Sequence, residues 1–150
     1  MLQELKTKKD VELFAKYKVD LIKLHQEYAK ELGLFDNKVD RYNKEDALKH
    51  LNNKNYHQFL IKEDNKNIGI LEYEITKSDI DNSKIIYINV LYIIEEYRKS
   101  GIGKKIIKEL QNKHYRIELE CWYEMPANYF YETLGMKKIK TRYMLESNNE

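Results

Sequence analysis

Apolar residues recur at Phe14, Tyr17, Leu21, Leu24 and Tyr28, a spacing of three and four that predicts one amphipathic helix. Asp10 is placed to cap its start and Gly33 to end it. Leu2 to Lys6 reads as a short strand before that helix. Asn43 to Leu51 reads as a second, shorter helix capped by Asn43, with Phe35 to Tyr42 as the loop between. From Tyr56 the period changes from helical to alternating. His57 to Glu63 and Ile68 to Thr76 predict two strands joined at Asn65-Lys66-Asn67. Ile70, Glu72 and Glu74 share one face of the second, while Leu71, Tyr73 and Ile75 share the other. A polar connection, Ser78 to Ser83, leads into the long apolar strand Lys84 to Ile94. Lys104 to Gln111 is again amphipathic and helical. Arg116 to Trp122 alternates as a strand, and Ala127 to Leu134 is a helix with Pro126 near its first position. Met136 to Glu146 alternates once more, with Ile139, Thr141, Tyr143 and Leu145 on one face.

This order is a meander, a crossover helix, a strand, a helix and a strand. A strand–helix–strand crossover implies parallel pairing of Lys84–Ile94 with Arg116–Trp122. The expected fold class is therefore α/β, with a mixed, mostly antiparallel central sheet flanked by helices. A length of 150 residues suits a single domain over 1–150, large enough for a core without disulfides or metals.

The 27 basic and 25 acidic residues nearly cancel, so no global field points to nucleic acid. No apolar stretch approaches a membrane span, and the first ten residues are too polar for a signal peptide. The lone Cys121 has no disulfide partner in the chain, and a reducing, cytoplasmic setting is expected. His25, His50, His57 and His114 lack metal-ligand spacing, so no metal is expected. Cys121 alternates with Ile117 and Leu119 as a structural thiol does.

The segment Tyr97-Arg98-Lys99-Ser100-Gly101-Ile102-Gly103-Lys104 carries the chemistry. It joins the long strand to a helix whose first turn holds two glycines among cationic side chains. Free backbone N–H groups and the positive end of the dipole make such a turn an anion site. The Gly-x-x-x-x-Gly-Lys-[Ser/Thr] loop is absent, and Arg98 to Gly103 lacks the third glycine of a dinucleotide fingerprint. What remains is Arg-x-x-Gly-x-Gly after a long strand. Further on stands Pro126-Ala127-Asn128-Tyr129-Phe130-Tyr131-Glu132-Thr133-Leu134-Gly135-Met136. Together, in this order, the two blocks resemble the GCN5-related N-acetyltransferase (GNAT) family, over roughly residues 56–146.

The resemblance implies the GNAT acyl-CoA N-acyltransferase fold, acetyl-CoA as cosubstrate and an amine acceptor. It implies that Leu91, Tyr92 and Ile93 border the pantetheine, with the Ile93 N–H or its neighbour serving the oxyanion. Lys99, Ser100, Gly101, Ile102, Gly103 and Lys104 would surround the pyrophosphate, and Arg98 would add charge-assisted contacts. The usual Asn before the last helix has no clean counterpart, Glu124 and Asn128 both falling nearby.

Acetylating an alkyl ammonium of pKa near 10.4 first requires removing a proton, at roughly 4–5 kcal/mol at pH 7. The departing thiolate then profits from an acid. By resemblance, Tyr131 is that acid. Glu120 is the leading base, because Leu119-Glu120-Cys121 resembles a Leu-Glu-Val stretch in members that acetylate protein N-termini. Glu72, Glu74 and a water relay remain open as proton acceptors. A competing reading is a CoA-binding sensor or partner-binding module without turnover. Monomer and homodimer both stay open.

Overall fold

A computed structural model of the chain describes residues 1–34 and 43–148. The expected loop between the first two helices, Phe35 to Tyr42, therefore lies outside the described residues. In chain order the elements are β1 (Leu2–Glu4), α1 (Lys8–Glu31), α2 (Lys44–Ala47), β2 (Tyr56–Glu63), β3 (Lys66–Lys77), β4 (Lys84–Ile93), α3 (Ile102–Gln111), β5 (Arg116–Glu118) and α4 (Ala127–Thr133). A single turn of 3-10 helix, Glu95–Tyr97, lies between β4 and α3. The strands form one five-stranded sheet in the order β1-β2-β3-β4-β5. All neighbours are antiparallel except β4 and β5, which run parallel across the α3 crossover. The expected fold class is thus the observed one.

Two apolar layers enclose the sheet. On one face α1 packs Phe14, Tyr17 and Leu21 against Leu60, Ile70 and Val90. On the other, α3 lays Ile102, Ile106, Ile107 and Leu110 over Leu71, Tyr73, Ile86 and Ile88. Each large side chain taken fully from water contributes about 1.5–3 kcal/mol, so these layers hold the helices to the sheet.

Several boundaries differ from the periodic reading. The α1 cap is Thr7, which accepts from the Asp10 N–H while the Asp10 carboxylate accepts from the Thr7 N–H. Asp10 is therefore the third residue of a capping box rather than the cap. The Lys6 and Thr7 N–H groups on its carboxylate hold its pKa below the ordinary value. Gly33, at φ +77°, follows the end of α1 as expected. Asn43 does cap α2, but regular helix stops at Ala47. Beyond it the bonds shorten to three-residue turns, Leu51 to Leu48 and Asn53 to His50, and Asn52 turns left-handed.

The strand expected over Arg116 to Trp122 pairs for only three residues, Ile85 with Arg116, Ile86 with Ile117 and Tyr87 with Glu118. The strand expected over Met136 to Glu146 does not form. Residues 137–148 make no backbone hydrogen bond to any described residue and add nothing to the sheet. Alternation selects a face only when a neighbouring strand supplies the ladder, and here none does.

Candidate acyl-transfer site

The candidate site begins where β4 and β5 part. Past Tyr87 the two strands no longer pair, and β4 continues alone on that side as far as Ile93. A bulge lies at the parting point. Glu72 faces Val90 while Tyr73 faces Ile88, leaving Asn89 as the extra residue. The bulge changes the strand's phase: Ile86 and Ile88 pack under α3 before it, Leu91 and Ile93 after it. It also leaves the buried Asn89 Nδ2 without a partner among the described residues. Bulges of this kind re-aim side chains and end pairing next to functional sites.

Which backbone groups the open edge presents follows from the β3–β4 ladder. The Ile94 N–H donates to the Ile68 carbonyl at 2.8 Å. Alternation along an antiparallel pair then turns Tyr92 and Val90 toward β3, and the N–H and C=O groups of Leu91 and Ile93 away from it. The Ile93 carbonyl indeed accepts from Arg98 Nε at 2.6 Å. The Ile93 N–H, expected with its neighbour as the oxyanion donor, thus points away from β3, whereas the Ile94 N–H is already engaged. Close approach of the strands fixes this edge: a Cβ at Gly69 would lie 2.0 Å from the Tyr92 carbonyl oxygen, a backbone atom with nowhere to go.

The glycine turn follows the open stretch of β4. Gly101, at φ +87°, is the N-cap of α3 and brings no side-chain cap, and a Cβ built there meets nothing within 4 Å. The first N–H groups of α3 therefore have neither a side-chain cap nor a partner within the helix. Lys99 is also left-handed, at φ +63°. The Ser100 hydroxyl donates to the Tyr97 carbonyl and tightens the turn. Arg98 lies across the Tyr92 ring, its guanidinium carbon 5.4 Å from the centroid.

Gly103 answers to a different demand. A Cβ there would come 2.9 Å from Phe130 Cζ, so the missing side chain admits the α4 aromatic ring. This contact brings the two sequence blocks together. Gly103→Ala is expected to cost about 1–2 kcal/mol by overpacking. Thermal unfolding should register the loss, and Phe130→Leu in the same chain should recover most of it.

Tyr131 follows Phe130 on α4, with its ring 5.2 Å from the Phe130 ring. Burial first, and the neighbouring Cys121 second, push its phenol well above the ordinary value. A phenol held neutral is fit to donate a proton. Burial raises the Cys121 thiol as well, which disfavours the thiolate a nucleophile needs. Asn128 donates from Nδ2 to the Trp122 and Met125 carbonyls at 2.8 and 2.9 Å, pinning the loop that precedes α4. Its amide donor is thus committed to structure.

Glu120 is exposed, just beyond β5, and its carboxylate lies close enough to Tyr87 to disfavour the phenolate. Burial first, then Glu120, Asp79 and Glu74, push the Tyr87 phenol up to about 12. Tyr87 was not singled out from the sequence; its position on the last paired rung of β4 is a tertiary fact. Glu72, by contrast, is fully buried and engaged by three donors: Lys18 Nζ at 3.2 Å, Gln58 Nε2 at 2.7 Å and His50 Nδ1 at 3.4 Å. Among the described residues no group of His, Cys, Asp and Glu could hold a metal ion, and no helix is long and apolar enough to cross a membrane.

Comparison with known proteins agrees with this geometry. The family described as acetyltransferase (GNAT) domain matches residues 54–138, more than half of the chain. No curated protein matches the sequence. Among solved structures, a point mutant of the BH1408 protein of Bacillus halodurans superposes with a TM-score of 0.76 at 20% identity, over 98% of this chain and 99% of that one. The aminoglycoside antibiotic 6'-N-acetyltransferase of Acinetobacter haemolyticus gives 0.64 at 13% identity, over 100% and 99%. The glucosamine-6-phosphate N-acetyltransferase of Arabidopsis thaliana gives 0.61 at 18%, over 99% and 98%. At such identities the likeness speaks for the fold alone, whereas the family match covers the two motif-bearing blocks, and the chain belongs to the GNAT acetyltransferase family.

Proposed function

We propose that this protein is an acetyl-CoA-dependent N-acetyltransferase, one domain over 1–150, acting on a primary amine by direct attack. The observation that carries the reading is the unpaired β4 edge followed in the chain by the start of α3 with no side-chain cap. Backbone groups of Leu91 and Ile93 would pair with the pantetheine amides, and the Ile93 N–H would meet the developing oxyanion. Tyr92 would border the same arm. Lys99, Ser100, Gly101, Ile102, Gly103 and Lys104 would surround the pyrophosphate, chiefly through N–H groups and the helix dipole. Arg98 would add charge at the turn.

Tyr131 would protonate the departing thiolate, and its raised pKa keeps the proton available at neutral pH. Glu120, beside Tyr87, would take the ammonium proton. The carboxylates around Tyr87 favour a cationic acceptor. The aminoglycoside and glucosamine-6-phosphate enzymes of this fold show how widely acceptors differ among its members.

Calorimetric titration of acetyl-CoA into the purified protein tests the reading. Binding is expected, weakened about tenfold or more in an Arg98→Ala, Gly101→Ala variant whose circular dichroism matches wild type. A folded wild type that binds neither acetyl-CoA nor free CoA would overturn it. Binding without transfer to any amine would favour the sensor reading instead.

A further inference from the structure

Arg98 is exposed, yet its side chain turns back onto the strand it follows. Its Nε donates to the Ile93 carbonyl at 2.6 Å, and its guanidinium carbon lies 5.4 Å from the centre of the Tyr92 ring. The 3-10 turn over Glu95–Tyr97 makes this return possible. There the Tyr97 N–H donates to the Ile94 carbonyl and the Arg98 N–H to the Glu95 carbonyl, at 3.0 and 3.1 Å. Among the described residues no carboxylate forms an ion pair with Arg98. A carbonyl and an aromatic face, both belonging to β4, hold the side chain.

That carbonyl is one of the groups by which β4 would receive a donor. Gly69 and Ile93 face each other between bonded pairs of the β3–β4 ladder, so the Ile93 C=O points out of it. The pairing of β5 ends at Glu118, opposite Tyr87, and does not reach this level. A pantetheine amide N–H therefore meets Arg98 as a rival for the same acceptor. A guanidinium bonds a phosphate through parallel N–H groups and opposite charge, more strongly than it bonds a neutral carbonyl. Gly101, the N-cap of α3 at the turn proposed for the diphosphate, lies three residues beyond Arg98.

We propose that Arg98 selects the thioester donor by competing for the Ile93 carbonyl until a diphosphate draws its side chain to the glycine turn. A full coenzyme A thioester carries that diphosphate and so frees the edge for its own pantetheine. A pantetheine thioester without it has to displace Arg98 unaided. Its apparent affinity then falls in proportion to the fraction of chains whose edge is free. The inference rests on the acetyl-CoA reading of the site and adds which class of thioester the site accepts.

Titrations of wild type and Arg98→Ala with two probes test it, CoA by calorimetry and pantetheine by ligand-observed NMR, which reads weak binding. CoA should bind the variant about tenfold more weakly, since a phosphate contact is lost. Pantetheine should bind the variant about three- to tenfold more tightly, since its carbonyl is released. The opposite signs are the signature, because an Arg98 that merely attracts ligand or stiffens the turn would weaken both probes or neither. Matching circular dichroism would show that the variant is folded. Pantetheine bound equally by the two chains, more weakly by the variant, or by neither would overturn the proposal. CoA binding to the wild type would in that case leave the acetyl-CoA reading standing, whereas a wild type that binds no CoA would overturn both.

Discussion

Replacing Glu72 by Ala is expected to destabilise the protein by about 3–5 kcal/mol. The residue is 0% exposed, on the centre strand of the sheet, and three donors converge on its carboxylate. Lys18 beside it is also buried, its ammonium 5.9 Å from the Phe14 ring. Removing the carboxylate strands that ammonium in a medium that solvates it poorly. The loss comes from the uncompensated charge and not from the net worth of the pair, so a Lys18→Met, Glu72→Met variant should recover much of it. His50 and Gln58 would still lack their shared acceptor, which limits the recovery. Urea denaturation of the three chains is the measurement. A loss below about 1 kcal/mol in Glu72→Ala would show that Lys18 escapes to solvent. This role also sets Glu72 apart from the exposed Glu120, because its oxygens are occupied by residues of the chain itself.

Tyr131→Phe should lower kcat by about a hundred- to a thousandfold, the range typical of a lost general acid, while the KM for acetyl-CoA hardly changes. The Tyr131 hydroxyl bonds to no other described side chain, and its ring contact with Phe130 survives the change. Stability should therefore stay close to wild type, and a normal melting curve would separate lost chemistry from lost fold. The pH dependence adds a second reading. Burial raises the phenol above its ordinary value near 10, so the acid form persists through that pH and only then titrates away. Wild-type activity should accordingly show no fall below about pH 10 that traces to Tyr131. An acid limb, if present, reports the base. Transfer unchanged by Tyr131→Phe would assign thiolate protonation to another group or to water.

Helices and strands with a complete local signature were legible from residues alone. The stripe Phe14, Tyr17, Leu21 and Leu24 marked α1, and the alternation around Leu71 and Tyr73 marked β3, because in each case burial repeats at the period of the backbone. The Arg98–Gly103 turn and the Tyr131 block pointed to the family before any contact was visible. Their meeting point was not legible, since Gly103 is read as a phosphate glycine until Phe130 is found against it. Glu72 could likewise be either a proton acceptor or half of a buried pair until α1 brought Lys18 over the sheet.

The C-terminal segment and the short β5 mark the other side of that division. Residues 136–146 alternate as well as β3 does, yet only β3 forms a strand. By itself the sequence determined the fold class, the order of elements as far as α4 and the residues at the glycine turn, all set by local periodicity and backbone chemistry. The tertiary structure alone decided where β4 leaves β5, which backbone groups of β4 turn away from β3, that Glu120 lies beside Tyr87, and that the alternating C-terminal segment joins no sheet among the described residues. Pairing and burial depend on what the fold brings within a few ångströms, and residues far apart in the chain carry no local mark of their future neighbours.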